Sequence, residues 1–311
     1  MNVLVTGADG FVGSWLLPRL REEGHATIAA LRPGCGDRLE AQGIAVVPLE
    51  VTEGDSVARA LEGDIDAVVH LAAVASGADA AKDPGYAWLV NAVGTARLAE
   101  ALARKRAQTG TDPVFLLVST GEVYGHGPET PRTETDPTYP LSPYAASKLG
   151  GEIAVLEVHR RTRLRVVVAR AFPHSGRGQD QRFVIPALAR RLMLAKRVGA
   201  PAVEVGNLDV VRDFMHVSDV VDAYARLLTR GEAGTVYNVA TGQGVRLSDA
   251  YRQLGEIIGH AAVPEVSSTL VRPVDLNYLV GDGARLRRAT GWSPRVSLRA
   301  MLAEVAHAQA D

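Results

Sequence analysis

The sequence predicts an α/β fold, a doubly wound parallel sheet joined to a smaller, mainly C-terminal lobe. Three observations carry this. Short β-rich apolar runs alternate with longer helical stretches through the first half, which implies right-handed crossovers between parallel neighbours. Runs such as Ala67-Val68-Val69-His70-Leu71 are continuous rather than alternating, as in strands covered on both faces. After Arg170 the regular alternation stops.

Taken in order, strands are expected at residues 3–5, 26–31, 45–48, 67–70, 114–118 and 165–169. Helices are expected between them at 11–23, 56–61, 87–106 and 144–161. Pro173, Gly176, Gly178 and Pro186 then break the pattern, and the next strand signals come near Val203 and Val211. Helical patterns follow at 217–229 and 247–258, with a short strand at 236–239 between them, and two more at 282–290 and 298–308. This half is too irregular to extend the sheet and suits a lobe that covers a substrate. With no repeat or low-complexity linker, the expected division is interleaved. Residues 1–172 with 217–240 form the sheet domain, and 173–216 with 241–311 form the lobe.

The bulk numbers exclude several function classes. With 311 residues, 47% hydrophobic and 22% charged, the chain is expected to bury a substantial core rather than remain disordered. A net charge of -1 argues against a partner bound through many phosphates, so nucleic acid is not expected. The single cysteine, Cys35, excludes an internal disulfide framework and a multi-cysteine metal site. The histidines lack metal-ligand spacing, so no metal is expected. The chain opens directly on an apolar strand, and no apolar run is long enough to span a bilayer, so a cytoplasmic protein without membrane contact is the expectation.

The first strand runs into Thr6-Gly7-Ala8-Asp9-Gly10-Phe11-Val12-Gly13, a G-x-x-G-x-x-G loop that opens a helix. Glycines let the chain turn sharply and bring its amides close to a diphosphate, and the helix N-terminus adds unpaired N–H groups. This strand–loop–helix context points to a dinucleotide in a Rossmann sheet. The second strand would usually end on an acid that holds the adenosine ribose. Here it ends Leu31-Arg32, which suits a 2′-phosphate, so NADP(H) is favoured and NAD(H) remains open. Glu50, after the third strand, fits either an adenine amino group or a local turn with Thr52.

Tyr144-Ala145-Ala146-Ser147-Lys148 sets a phenol and an ammonium one helical turn apart. A nearby positive charge should lower the phenol's pKa towards a range useful for proton transfer. The strand through Leu116 ends in Ser119-Thr120-Gly121-Glu122, and ligands of open α/β sheets bind at such carboxyl ends. Thr120 is therefore placed to reach a substrate oxygen.

These motifs, with His70-Leu71-Ala72-Ala73, Asn91, Gly94-Thr95, Tyr124-Gly125, Ser142-Pro143, Arg212-Asp213-Phe214, Tyr237-Asn238-Val239 and Arg272-Pro273-Val274-Asp275, run over almost the whole chain. In that order they resemble the nucleotide-sugar branch of the extended short-chain dehydrogenase/reductase family. The resemblance implies that Thr120 hydrogen-bonds the sugar C4 oxygen and that Tyr144 exchanges a proton with it. Lys148 would bind the nicotinamide ribose, and hydride would pass between the nicotinamide and C4. It further implies a cofactor site of Gly7, Gly10, Phe11, Val12, Gly13, Arg32, Glu50, Val51, Leu71, Ala72, Ala73, Val118, Tyr144, Lys148, Phe172 and His174. The substrate side would comprise Thr120, Gly121, Glu122, His174, Arg182, Val184, Arg212, Arg272 and Asp275, the two arginines 212 and 272 clamping the diphosphate. Tyr124 is read as structural. The helices at 87–106 and 144–161 would form a homodimer through a four-helix bundle.

Within this family the chain most resembles the GDP-4-keto-6-deoxymannose reductases, which make GDP-rhamnose. Pro173 stands where an asparagine is usual and Ala171 where a proline is usual, which leaves one polar contact to the sugar nucleotide unassigned. A 4,6-dehydratase of the family carries two functional groups after the threonine position. Here Gly121 fills the first position and Glu122 the second, so reduction leads, with dehydration and 4-epimerisation as alternatives. A non-catalytic dinucleotide sensor is the reading from a different class, and the retention of Tyr144 and Lys148 argues against it.

Overall fold

Seven apolar runs, each too short for a helix, pair side by side into one parallel sheet. They are β1 (Asn2–Thr6), β2 (Ala26–Leu31), β3 (Ala45–Pro48), β4 (Ala67–His70), β5 (Val114–Thr120), β6 (Arg165–Ala171) and β7 (Thr235–Val239). This computed structural model describes residues 1–271 and 275–309. The strand order is β7-β6-β5-β4-β1-β2-β3, every pair parallel. Strand order reverses between β1 and β4, so the connections leave in opposite directions and open a crevice above the strands' carboxyl ends. The fold is the doubly wound α/β sheet that the sequence predicts.

The longer helices are α1 (Phe11–Glu22), α2 (Thr95–Thr109), α3 (Pro143–Thr162), α4 (Val184–Val198), α5 (Val217–Arg230), α6 (Leu247–Ile258) and α7 (Leu298–Ala308). The continuous apolar strands make sense once both faces are seen. Val3 and Val5 pack with Leu16 and Leu20 of α1 and Val220 of α5 on one side. Leu4, between them in sequence, packs with Leu98 and Leu102 of α2 and Val155 of α3 on the other. Successive residues serve opposite cores, so the positions from Val3 to Val5 are all apolar. No helix among the described residues is long and apolar enough to cross a membrane.

The structure corrects three expectations. The single helix at 87–106 is a short helix at Pro84–Trp88, a π-helical turn at Leu89–Gly94, and then α2. The wide turn coincides with two crowded contacts: a β-carbon on Gly94 would lie 2.9 Å from the Val51 side chain, and one on Gly151 would lie 2.7 Å from the Asn91 carbonyl. Second, Pro186 does not break the chain but lies in the first turn of α4, where its missing N–H has no helical partner to lose. Third, β5 and β6 each run two residues further than expected, which brings Thr120 and Ala171 into the sheet as its last residues.

Helices α4, α6 and α7 close a separate core through Leu188, Leu192, Leu254, Leu302 and Val305, with Val203 and Val205 from the strand Ala202–Val205. Just past the end of β7, a buried carboxylate ties together the chain segments that make up the lobe. Asp213 accepts from Thr241 N at 3.0 Å, Thr241 Oγ1 at 2.5 Å, Gly242 N at 2.9 Å and Gly281 N at 3.4 Å. Burial raises its pKa, and these bonds oppose the rise. Asp213→Ala would leave several buried donors unpaired, and we expect it to lower the unfolding free energy by about 2–4 kcal/mol, read from urea denaturation.

Candidate active site

The crevice is lined first by the loop after β1. Gly7 has φ +64°, and a β-carbon on it would lie 2.9 Å from the Ala72 backbone nitrogen. A β-carbon on Gly13 would lie 2.4 Å from the Ala8 carbonyl oxygen. Both positions therefore exclude a side chain. Gly10 caps α1 without a side-chain cap hydrogen bond, so the amides of the first turn, from Phe11 to Gly13, are not capped by the N-cap residue's own side chain. This glycine cradle fits a dinucleotide diphosphate, which needs close backbone approach and a positive dipole end.

Beneath the cradle runs a line of buried hydrogen bonds. Thr6 Oγ1 accepts from Ala72 N at 3.0 Å and lies 2.8 Å from His70 Nδ1. Thr95 Oγ1 donates to the Asn91 carbonyl at 2.7 Å and lies 3.0 Å from His70 Nε2. Because Thr95 spends its proton on Asn91, it must accept from the imidazole, so Nε2 carries the proton and Nδ1 accepts from Thr6. Burial, aided by the charge of Lys148, pushes His70 down to about 3, so the ring stays neutral. The Asn91 side chain continues the line, accepting from Val74 N at 2.8 Å and donating to Ser147 Oγ at 3.0 Å. Ser147 in turn donates to the Tyr144 carbonyl at 2.9 Å.

Tyr144 and Lys148 lie in the first turns of α3, which Ser142 caps by accepting from Ala145 N. Thr120 ends β5 and caps the 3-10 turn Gly121–Tyr124 by accepting from Glu122 N at 3.2 Å. The structure brings all three residues together, with Thr120 hydrogen-bonded to the Tyr144 phenol. The expected lowering of the phenol's pKa is not found in the chain by itself. Burial raises it, the Glu122 carboxylate raises it further, and the bond from Thr120 only partly opposes them. Lys148 is buried and its ammonium is pushed down to about 8, with Glu152 pulling it back up. At neutral pH the site thus holds a protonated phenol beside a charged lysine.

Gly121 and Glu122 diverge. A β-carbon on Gly121 would lie 2.9 Å from the Phe172 ring, and one on Gly281 would lie 2.4 Å from the same ring. The ring is therefore held between two glycines, and nothing larger fits at 121 unless it moves. Glu122 lies close enough to Tyr144 to act on its ionisation.

The remaining candidates lie on several different elements. Arg32 is exposed just past β2, and Glu50 Oε1 accepts from Thr52 N at 3.0 Å and Thr52 Oγ1 at 2.7 Å. Val51 is buried against Gly94, while Leu71, Ala72, Ala73 and Val118 are partly exposed beside the cradle. His174 stacks near Phe11, ring centroids 6.3 Å apart, and burial lowers its pKa. Arg182 is exposed and pairs with Asp79 at 2.7 Å, and Val184 begins α4. Arg212 is forked onto Asp275 Oδ1 at 2.6 Å and the Leu276 carbonyl at 2.5 Å. Arg272 lies outside the described residues. Tyr124 donates its hydroxyl to Asn238 Oδ1 at 2.7 Å. The sequence reading missed the supporting roles of His70, Ser147, Glu152 and Arg170. A glutamate four residues past Lys148 on one helix face was the available signal.

Comparison with known proteins gives consistent matches. The profile of the NAD dependent epimerase/dehydratase family matches residues 3–240. GDP-6-deoxy-D-mannose reductase of Pseudomonas aeruginosa is 37% identical, covering 97% of this chain and 96% of the relative. The solved structure of RMD from Pseudomonas aeruginosa complexed with NADPH aligns with TM-score 0.83 and 34% identity, covering 99% of this chain and 98% of that one. UDP-glucose 4-epimerase of Thermus thermophilus in complex with NAD aligns with TM-score 0.87 and 30% identity, covering 100% and 99%.

The lowered Lys148 pKa has a measurable sign. The ammonium is intact at neutral pH and is lost as pH rises through about 8. Affinity for NADPH, followed by nicotinamide fluorescence, should therefore be flat through neutral pH and decline across that midpoint. Lys148→Met should be weak throughout and lack the inflection.

Proposed function

The chain belongs to the NAD dependent epimerase/dehydratase family, and we propose that it reduces the 4-keto group of a nucleotide-linked 4-keto-6-deoxy sugar. The favoured substrate is GDP-4-keto-6-deoxy-D-mannose, giving GDP-D-rhamnose, with NADPH favoured over NADH. Residues 1–172 with 217–240 hold the dinucleotide, and 173–216 with 241–311 close over the sugar nucleotide. The bound cofactor supplies hydride. Tyr144 gives its proton to the C4 oxygen, Thr120 hydrogen-bonds that oxygen, and Lys148 holds the nicotinamide ribose. Arg212 and Arg272 take the diphosphate, a task suited to forked guanidinium groups. The exposed Arg32 supports NADPH.

The observation that carries reduction is Gly121 packed under Phe172. A dehydratase must remove a C5 proton and assist a departing C6 hydroxyl. The first position after Thr120 offers no side chain for this, and the ring fills the space one would take. The protonated phenol supports the same direction, because ketone reduction consumes a proton and alcohol oxidation needs a base. Glu122 beside Tyr144 favours dehydration as the second reading, since it is an acid in the position a dehydratase uses. The test offers the purified protein and NADPH a panel of 4-keto-6-deoxy nucleotide sugars. Reduction predicts loss of the reduced-nicotinamide absorbance with the wild type, and loss of most turnover with NADPH binding retained in Tyr144→Phe. No oxidation with any panel member, or full turnover by Tyr144→Phe, would overturn it.

We also propose a homodimer, in a cytoplasmic setting. Trp88, Leu89 and Val93 are exposed on the segment leading into α2, and Ile153 is 60% exposed on α3. Trp88 lies against Gly150, where a β-carbon would sit 2.6 Å from its ring, so these side chains border one face of two adjacent helices. A second copy of the same pair would complete a four-helix bundle. Gel filtration at micromolar concentration should give a dimer, shifted towards monomer by Ile153→Arg. A monomer from the wild type would remove this reading.

A further inference from the structure

One buried carboxylate near the reacting groups has no part in the proton or hydride path. Glu152 lies one turn beyond Lys148 on α3, and the two are 1% and 5% exposed. Its oxygens are fully engaged. Arg170, near the end of β6, donates Nε to both at 3.1 Å and Nη2 to Oε2 at 2.7 Å. Ser119, directly before Thr120, donates its hydroxyl to Oε1. The Arg170 guanidinium lies 4.8 Å over the Tyr124 ring, which restricts how it can move. One carboxylate thus ties together β5 with Thr120, β6, and the helix that carries Tyr144 and Lys148.

We propose that Glu152 is a positioning residue for the reaction assigned above: anchored by Arg170 and Ser119 one turn beyond Lys148 on the same helix, its carboxylate holds Thr120 in register with Tyr144 and is the counter-charge to the Lys148 ammonium. The proposal rests on that assignment only for its catalytic consequence. A buried ammonium without a counter-charge sheds its proton, and several groups around it offer no compensation. His70 from β4 is neutral, and Tyr144 on the same helix is protonated. Glu122 acts on Tyr144 from the 3-10 turn, and Arg170 stands behind Glu152 with the opposite sign. Glu152, one turn away on the same helix and equally buried, pulls the Lys148 pKa upward against burial.

The test is the pH dependence of NADPH binding by the full chain, read by nicotinamide fluorescence. In Glu152→Gln the alkaline midpoint should move down by about one pH unit, close to tenfold weaker binding at a fixed pH above it. Glu152→Asp should recover much of the wild-type midpoint. Because the lone Gln variant strands Arg170, the double variant Glu152→Gln with Arg170→Gln restores a neutral hydrogen-bonded pair and should show a smaller shift in the same direction. A midpoint unmoved or raised in either folded variant overturns the proposal. In turnover, kcat should fall at neutral pH with little change in KM for the sugar nucleotide, whereas loosened packing alone would leave the pH midpoint in place. If no sugar of the panel is reduced by the wild type, the assigned reaction fails while the binding titration still decides Glu152.

Discussion

The arrangement depends on a buried imidazole that must remain neutral. His70 joins the end of β1 to the start of α2 by accepting from one threonine and donating to another. Each threonine passes the bond on, Thr6 to the backbone of Ala72 and Thr95 to the carbonyl of Asn91. Asn91 reaches the helix of Tyr144 through Ser147. The floor of the cofactor crevice and the reactive helix are thus one hydrogen-bonded piece. A protonated ring would place two donors where one donor and one acceptor are required, and would face the Lys148 ammonium. Burial removes that state, and so fixes the line's polarity.

The same burial governs the reactive pair. Removing water from a phenol and an ammonium favours the uncharged form of each, which drives the tyrosine pKa up and the lysine pKa down. Free side chains of these two types nearly match in proton affinity, whereas here the phenol holds its proton much the more tightly. The site therefore starts with its proton on the phenol, where a ketone can take it. Charges at its edges, Glu122 on one side and Glu152 on the other, adjust this starting point without touching the transferred atoms.

Much of this was legible in the chain. The glycines at 7, 10 and 13, the Tyr144–Lys148 pair and the hydroxyl of Thr120 are short-range patterns, and each lies on the element that its spacing predicted. What escaped was whatever depends on contact between distant segments. No local pattern reveals that Asn91 interrupts a helix to hold Val74 and Ser147, or that Arg170 finds Glu152 across a strand and a helix. The tyrosine pKa escaped for a related reason, since a spacing argument sees the neighbouring lysine but not the burial that outweighs it. Pro186 misled because proline's meaning depends on whether it enters a first turn or an interior one.

The Phe172 ring between Gly121 and Gly281 bears on how such a site can change its chemistry over evolutionary time. An acid introduced at 121 collides with the ring, while shrinking the ring first leaves a void between two residues that have no side chains to fill it. Either single step passes through a damaged protein, so acquisition of a second acid here requires two coordinated replacements.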